Sequence, residues 1–212
     1  MAEPATAEQP RPFGSWSRRT LLFAAVATFL LTLFEMDVLE WTLERVGIPH
    51  RWYFTVLAAS FFGSLVNLPL GTTPPRPDGG RTLIALNVGG GLVPVLLSLH
   101  LLVTQPQFGL PVLLALAIVS AATHAVARPV PGVGIAMPIL LAPIVAASAA
   151  FLLAPQAPAA VAYIAGAVGT LIGADLLNLR RLDTLAAPVV SIGGAGTFDG
   201  IFVSGMLAAL LA

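Results

Sequence analysis

The sequence predicts an all-α membrane protein, a polytopic bundle of about seven transmembrane helices. Of its 212 residues, 57% are hydrophobic and 9% are charged, whereas a soluble domain has about 25% charged residues. The mean hydropathy is +0.92. Several apolar segments approach about 20 residues, the length that crosses the hydrocarbon core of a bilayer. The lipid bilayer is therefore the first predicted partner, and a soluble enzyme or a nucleic-acid binder is excluded.

Apolar windows separated by Pro- and Gly-rich breaks define the predicted spans. Residues 1–17 are rich in Pro, Ala, Glu and Gln and predict a disordered cytoplasmic tail. The remaining chain, 18–212, is predicted to be one transmembrane domain. Arg18 and Arg19 resemble a twin-arginine export signal, but the apolar run after them continues past any cleavage site, so we expect an uncleaved first span. The predicted spans are 20–34 (extending towards 39), 52–70, 82–104, 108–127, 134–154, 157–179 and 188–211.

The arginines predict the orientation, because positive charge accumulates in cytoplasmic loops and the chain has no lysine. A cytoplasmic N-terminus places eight of the ten arginines inside and leaves Arg45 and Arg51 outside. The acidic outer segment 35–51 is predicted to be a solvated connection rather than a helix lying on the membrane surface.

Ionisable side chains inside a span are costly and are functional candidates by default. Beyond the first span, Asp175 and Asp199 are the two acids in predicted spans. Asp199 follows a glycine run at Gly193, Gly194 and Gly196, which makes a continuous helix doubtful. If Thr197 caps a new helix, Asp199 lies in its first turn. Asp199 is then nearer to the cytoplasmic side and to Asp175 than in a continuous helix. The glycines then indicate either a cavity lined by irregular backbone or close packing of helices, and both alternatives stay open.

Four further polar residues are predicted at the cytoplasmic ends of spans, at the depth of Asp175. They are Asn67, Asn87, His124 and Asn178. Each alone is typical of a hydrogen bond between helices, but together they favour a binding site. The segment NVGGGLVP after Leu86 is a second Gly- and Pro-interrupted stretch of the kind that forms transporter sites.

Two carboxyl groups that meet in a low-dielectric site share a proton and can activate water while protonating a leaving group. Asp175 and Asp199 therefore predict a cytoplasm-facing intramembrane aspartyl hydrolase, with the other polar residues in supporting contact. In general plan this resembles the GxGD-type intramembrane aspartyl proteases, which also place acids on two consecutive late helices. The residues before the two acids, IGA and GTF, differ from that family's Gly-x-Gly.

Two other functions use the same residues. A proton- or cation-coupled transporter or channel for a small solute would employ the acids and the interrupted helices. A non-catalytic scaffold would use the polar groups to set helix register. No cofactor or metal site is predicted, since the chain has no cysteine and no H-E-x-x-H helix. No nucleic-acid partner is predicted, since the formal net charge is zero.

At the scale of whole segments, the chain resembles an uncharacterised prokaryotic multi-pass membrane family, a domain of unknown function. The segments that carry the resemblance run from Ser64 to the C-terminus: SLVNLPL, NVGGGLVP, HAVARPVPGVGIAMP, GTLIGADLLNL and SIGGAGTFDGIF. This resemblance implies a location in a prokaryotic cytoplasmic (inner) membrane and carries no activity with it.

Overall fold

The structure is a computed structural model that describes residues 36–74, 80–105, 109–130, 134–179, 187–194 and 200–212. The chain forms two compact units, Met1–Val38 and Leu39–Ala212. The predicted tail, 1–17, and the core of the first predicted span, 20–34, lie outside the described residues. All elements below belong to the second unit.

The second unit is mostly helical and also contains strands. It starts with a helical segment, 39–46, and a 3-10 turn, His50–Trp52. The longer helices are α1 (Tyr53–Gly63), α2 (Val88–Thr104), α3 (Gly109–Val126), α4 (Leu141–Leu153), α5 (Pro158–Leu179) and α6 (Gly200–Leu211). The strands are β1 (Asn67–Thr72), β2 (Leu83–Asn87), β3 (Arg128–Val130), β4 (Gly134–Ala136) and β5 (Val189–Ile192).

Helix α5 lies at the centre of this unit and contacts α2, α3, α4 and α6. Every side chain from Ala159 to Ala167 is buried. Small residues let the neighbours come close, as small-residue faces do between membrane helices. A Cβ on Gly166 would lie 2.7 Å from the Ser204 carbonyl oxygen of α6. Backbone packing against glycine therefore holds the helices together.

Two described helices, α3 and α5, are long and apolar enough to cross a membrane. They coincide with the predicted spans 108–127 and 157–179. One face of α3 is exposed, including Leu110 (69%) and Leu113 (64%). An exposed apolar face on a helix of this length is typical of contact with lipid.

Three predicted spans are wrong as continuous helices because each contains a strand, and span 188–211, which its glycine run makes doubtful as a continuous helix, contains one too. Span 52–70 is helical only to Gly63 and ends in β1, and span 82–104 begins with β2. Span 134–154 begins with β4, and span 188–211 begins with β5. The expected all-α class therefore needs correction: β1, β2 and β5 form one sheet, and β3 and β4 form a hairpin.

Local chemistry explains part of this correction. Pro69 lacks a backbone N–H and Gly71 weakens a helix, so β1 cannot continue α1. The β-branched Val189, Val190 and Ile192 favour the extended backbone of β5. Strand β2 lies between the two, antiparallel to β1 and parallel to β5.

The outer segment also differs from its prediction. Residues 39–46 form a helix rather than a solvated connection, and Leu43 and Val46 are fully buried. On its exposed side, the Arg45 guanidinium lies 4.8 Å above the Trp41 ring and donates to the Leu210 carbonyl oxygen. The charged residues therefore occupy one face of a helix whose other face packs into the core.

Gly173→Ala should destabilise the contact between α3 and α5. The added Cβ would overlap the Ser120 carbonyl oxygen and the Thr123 hydroxyl of α3. We expect a loss of about 1–3 kcal/mol, as for overpacking in a tight core, measured as thermal or denaturant unfolding in detergent. Gly109→Ala is the matched control, because a Cβ there meets no atom within 4 Å. Equal stability of the two variants would contradict the packing described.

Candidate functional site

Three polar side chains meet on one face of the three-stranded sheet. Asn67 opens β1 and lies directly opposite Asn87, the last residue of β2. On the other side of β2, Ser191 of β5 lies opposite Ala85. Because strand residues alternate between faces, Ala85, Asn87 and Ser191 point to the same side. We call Asn67, Asn87 and Ser191 the strand-end cluster.

Asn87 is the buried member of the strand-end cluster, with 1% of its surface exposed. Its Nδ2 donates to the Ser64 carbonyl oxygen at 2.7 Å and to Asn67 Oδ1 at 3.2 Å. Its Oδ1 accepts from the Gly90 backbone N–H at 2.8 Å and so caps the start of α2. The buried amide thus uses both of its polar atoms and ties α1, β1 and α2 together.

Asn67 forms the open edge of the strand-end cluster. Its Oδ1 also accepts from the Ser191 hydroxyl. The Asn67 side chain is exposed, and within the described residues its Nδ2 donates to no partner. One hydrogen-bond donor of the cluster therefore faces outward.

Glycine-rich connections follow β2 and β5. In the first, Gly89, Gly90 and Gly91 form a wide π-helical turn that continues directly into α2. In the second, Gly193 adopts a left-handed backbone with φ +71°, and a Cβ there would lie 2.6 Å from the Gly91 backbone nitrogen. Glycine is therefore required where the connections touch. In the described residues, the contact between Gly193 and Gly91 is an example of close packing.

A second polar contact joins the C-terminal ends of α3 and α5. These helices run parallel, since Gly169 approaches Val119 and Gly173 approaches Thr123. Asn178 Nδ2 donates to the Gly173 and Ala174 carbonyl oxygens at 3.1 and 2.9 Å and lies 3.3 Å from His124 Nδ1. Both carbonyls belong to the π-helical turn Leu171–Asp175. Asn178 therefore satisfies backbone oxygens in the last turns of α5.

The structure sorts the predicted site residues into separate groups. Asn67 meets Asn87, and His124 meets Asn178, as given above. Asp175 ends the π-helical turn and is partly exposed. Gly194 follows β5, and its N–H donates to the Ser191 carbonyl oxygen at 3.2 Å. Asp199, Gly196 and Thr197 lie outside the described residues, so the contact between the two acids stays a prediction.

Sequence reasoning missed Ser191 and the Ser64 carbonyl. A signal for Ser191 exists, because it is a polar residue two positions before a glycine run, as Asn87 is. A backbone oxygen such as that of Ser64 has no signal in the sequence. Among the described residues, no group of three His, Asp or Glu side chains could hold a metal ion.

Comparison with known proteins identifies the family. A model of the DUF1614 family, described as a protein of unknown function, matches residues 40–211. The chain belongs to the DUF1614 family. Its expected membership of a family of unknown function is thus confirmed, and the DUF1614 match extends N-terminally of Ser64. No curated protein and no solved structure matches the chain.

Two isosteric substitutions test the strand-end cluster. Asn87→Asp keeps the oxygen that accepts from the Gly90 N–H but removes both donated hydrogen bonds. A carboxylate oxygen would then face the Ser64 carbonyl oxygen and Asn67 Oδ1 in a buried site. Asn67→Asp keeps the acceptor that its two partners use. We expect Asn87→Asp to lose about 1–3 kcal/mol of stability and Asn67→Asp to unfold like the wild type. The measurement is denaturant unfolding of both variants in one detergent, and the reverse ranking would contradict the assigned hydrogen bonds.

Proposed function

We propose that this DUF1614 protein is a polytopic membrane protein that lets a small, uncharged, hydrogen-bonding solute pass beside the strand-end cluster. The two helices of spanning length and the exposed apolar face of α3 support residence in a membrane. The polytopic arrangement, the cytoplasmic N-terminus and the prokaryotic inner membrane remain part of the same proposal, and the arginine distribution supports the orientation.

One observation carries the proposal. β2 and β5 are hydrogen-bonded parallel neighbours, and each leads through glycine-rich chain towards a helix, α2 or α6. Helices that start from irregular backbone inside a bundle often form the solute sites of transporters, because helix starts and unwound backbone offer hydrogen-bonding groups there. The strand-end cluster lies where the first parts of these two connections touch.

The chemistry of the strand-end cluster favours an uncharged solute. Its described side chains are two amides and one hydroxyl, none of which carries a charge. A charged solute in a low-dielectric site requires a compensating charge, whereas a neutral polar solute requires only hydrogen bonds. The outward-facing Nδ2 of Asn67 offers one to an oxygen of the solute.

Solute passage is measurable in sealed proteoliposomes by stopped-flow light scattering, with glycerol and urea as probes. We expect faster volume recovery than in protein-free vesicles. Asn67→Asp, which should fold normally, replaces the outward donor with a carboxylate and should slow recovery about fivefold, the equivalent of about 1 kcal/mol for one lost hydrogen bond. Gly109→Ala should behave like the wild type. Recovery equal to that of protein-free vesicles for both probes would overturn the proposal.

The aspartyl hydrolase predicted from Asp175 and Asp199 makes a different prediction. If the acids form a catalytic pair, Asp175→Asn and Asp199→Asn each abolish cleavage of a co-reconstituted membrane peptide while the protein stays folded. The solute proposal expects no cleavage by the wild type or by either variant. Mass spectrometry of the peptide after incubation separates the two functions.

A further inference from the structure

A groove on the surface of the second unit lies between the start of α1 and the end of α2. Its volume is about 520 Å³ and its lining is mostly apolar. The helices run antiparallel along it, since Gly89 at the start of α2 lies against Gly63 at the end of α1, while Gln105 after α2 lies against Gly47 before α1. Arg51 and Trp52 therefore lie towards the same end as His100, and Ala59 and Val93 line the rest. About seven residues separate the ends on α2, which is about 10 Å at 1.5 Å per residue.

The two ends of the groove differ in chemistry. Arg51 and His100 are exposed at one end, and within the described residues neither side chain makes a hydrogen bond or an ion pair. None of the residues that line the groove is acidic. Away from this end the walls are apolar, and the small Ala59 leaves room between them.

The geometry points to an anionic phospholipid as the occupant of this groove, with an acyl chain along the apolar walls and its phosphate at Arg51 and His100. A guanidinium pairs well with phosphate oxygens, and an imidazole ring has at least one N–H to donate. Trp52, 47% exposed beside Arg51, is a residue type that concentrates at the level of lipid headgroups. The partly exposed Leu96 would face the same lipid.

Charge complementarity decides between this occupant and an uncharged lipid. An apolar groove alone accepts any acyl chain, whereas the Arg51 guanidinium, in a lining without an acidic residue, favours a headgroup with a net negative charge. The inference rests on membrane residence and is independent of solute passage at the strand-end cluster.

The experiment compares lipids that share acyl chains and differ in headgroup. The full chain in detergent is titrated with dioleoyl-phosphatidylglycerol or dioleoyl-phosphatidylcholine, and bound lipid is counted by native mass spectrometry. We expect a preference for phosphatidylglycerol that falls about fivefold when the Arg51 charge is removed, the equivalent of about 1 kcal/mol, and a weaker binding of the phosphate when the His100 N–H donor is removed. The variants to be compared are Arg51→Gln, His100→Gln and the double variant. Both side chains are exposed, so their removal leaves the core intact.

Arg45→Gln is the matched control, because Arg45 belongs to the same predicted outer segment but contacts Trp41 and Leu210 instead of the groove. It should keep the wild-type preference. Ala59→Phe fills the apolar part and should reduce binding of both lipids. A double variant that retains the wild-type preference, or an Arg45→Gln variant that loses it equally, would overturn the inference.

Glycerol 3-phosphate distinguishes a lipid site from a site for free phosphate esters. Glycerol 3-phosphate carries the phosphate but no acyl chain. At the concentration at which phosphatidylglycerol saturates the protein, it should displace little bound phosphatidylglycerol. Full displacement would show that the acyl chain contributes nothing and would also overturn the inference.

Discussion

Buried backbone that leaves a helix must find hydrogen-bond partners inside the protein, and in this chain the buried amide of Asn87 supplies several of them. It accepts from the start of α2, donates to the end of α1 and donates to β1. Without it, the Ser64 carbonyl and the Gly90 N–H would lose their partner together. The sheet, the wide turn of α2 and the position of the strand-end cluster all depend on this one side chain.

Hydropathy predicts α3 and α5 closely, because a long apolar helix leaves a clear pattern. It does not predict β2, whose residues LIALN have no strong preference for a strand. β2 is extended because β1 and β5 pair with it from both sides, a tertiary effect outside any local window. Pro69 and Val189–Ile192 do carry local signals for extended backbone, but both lie inside apolar windows that hydropathy assigns to the spans 52–70 and 188–211.

The residues of the candidate site could be predicted from the sequence, but their contacts could not, because these contacts also depend on tertiary folding. Asn67, Asn87, His124 and Asn178 stand out as amide and imidazole groups in apolar surroundings, yet only folding shows that they form two separate contacts. The strand-end cluster is neutral and has one outward donor, which favours binding over acid–base chemistry. The groove at Arg51 and His100, for which we propose a lipid, shares no residue with the strand-end cluster.

The parallel register of β2 and β5 is the central claim, and disulfide formation tests it most directly in a chain that has no cysteine of its own. Ile84 and Val190 are register partners, and neighbouring strands about 4.8 Å apart allow a disulfide. Ile84→Cys with Val190→Cys should form one on mild oxidation in the membrane, detected by mass spectrometry. Ile84→Cys with Val189→Cys should not, because adjacent strand residues face opposite sides. Equal yields from the two pairs, or none from the first, would contradict the account.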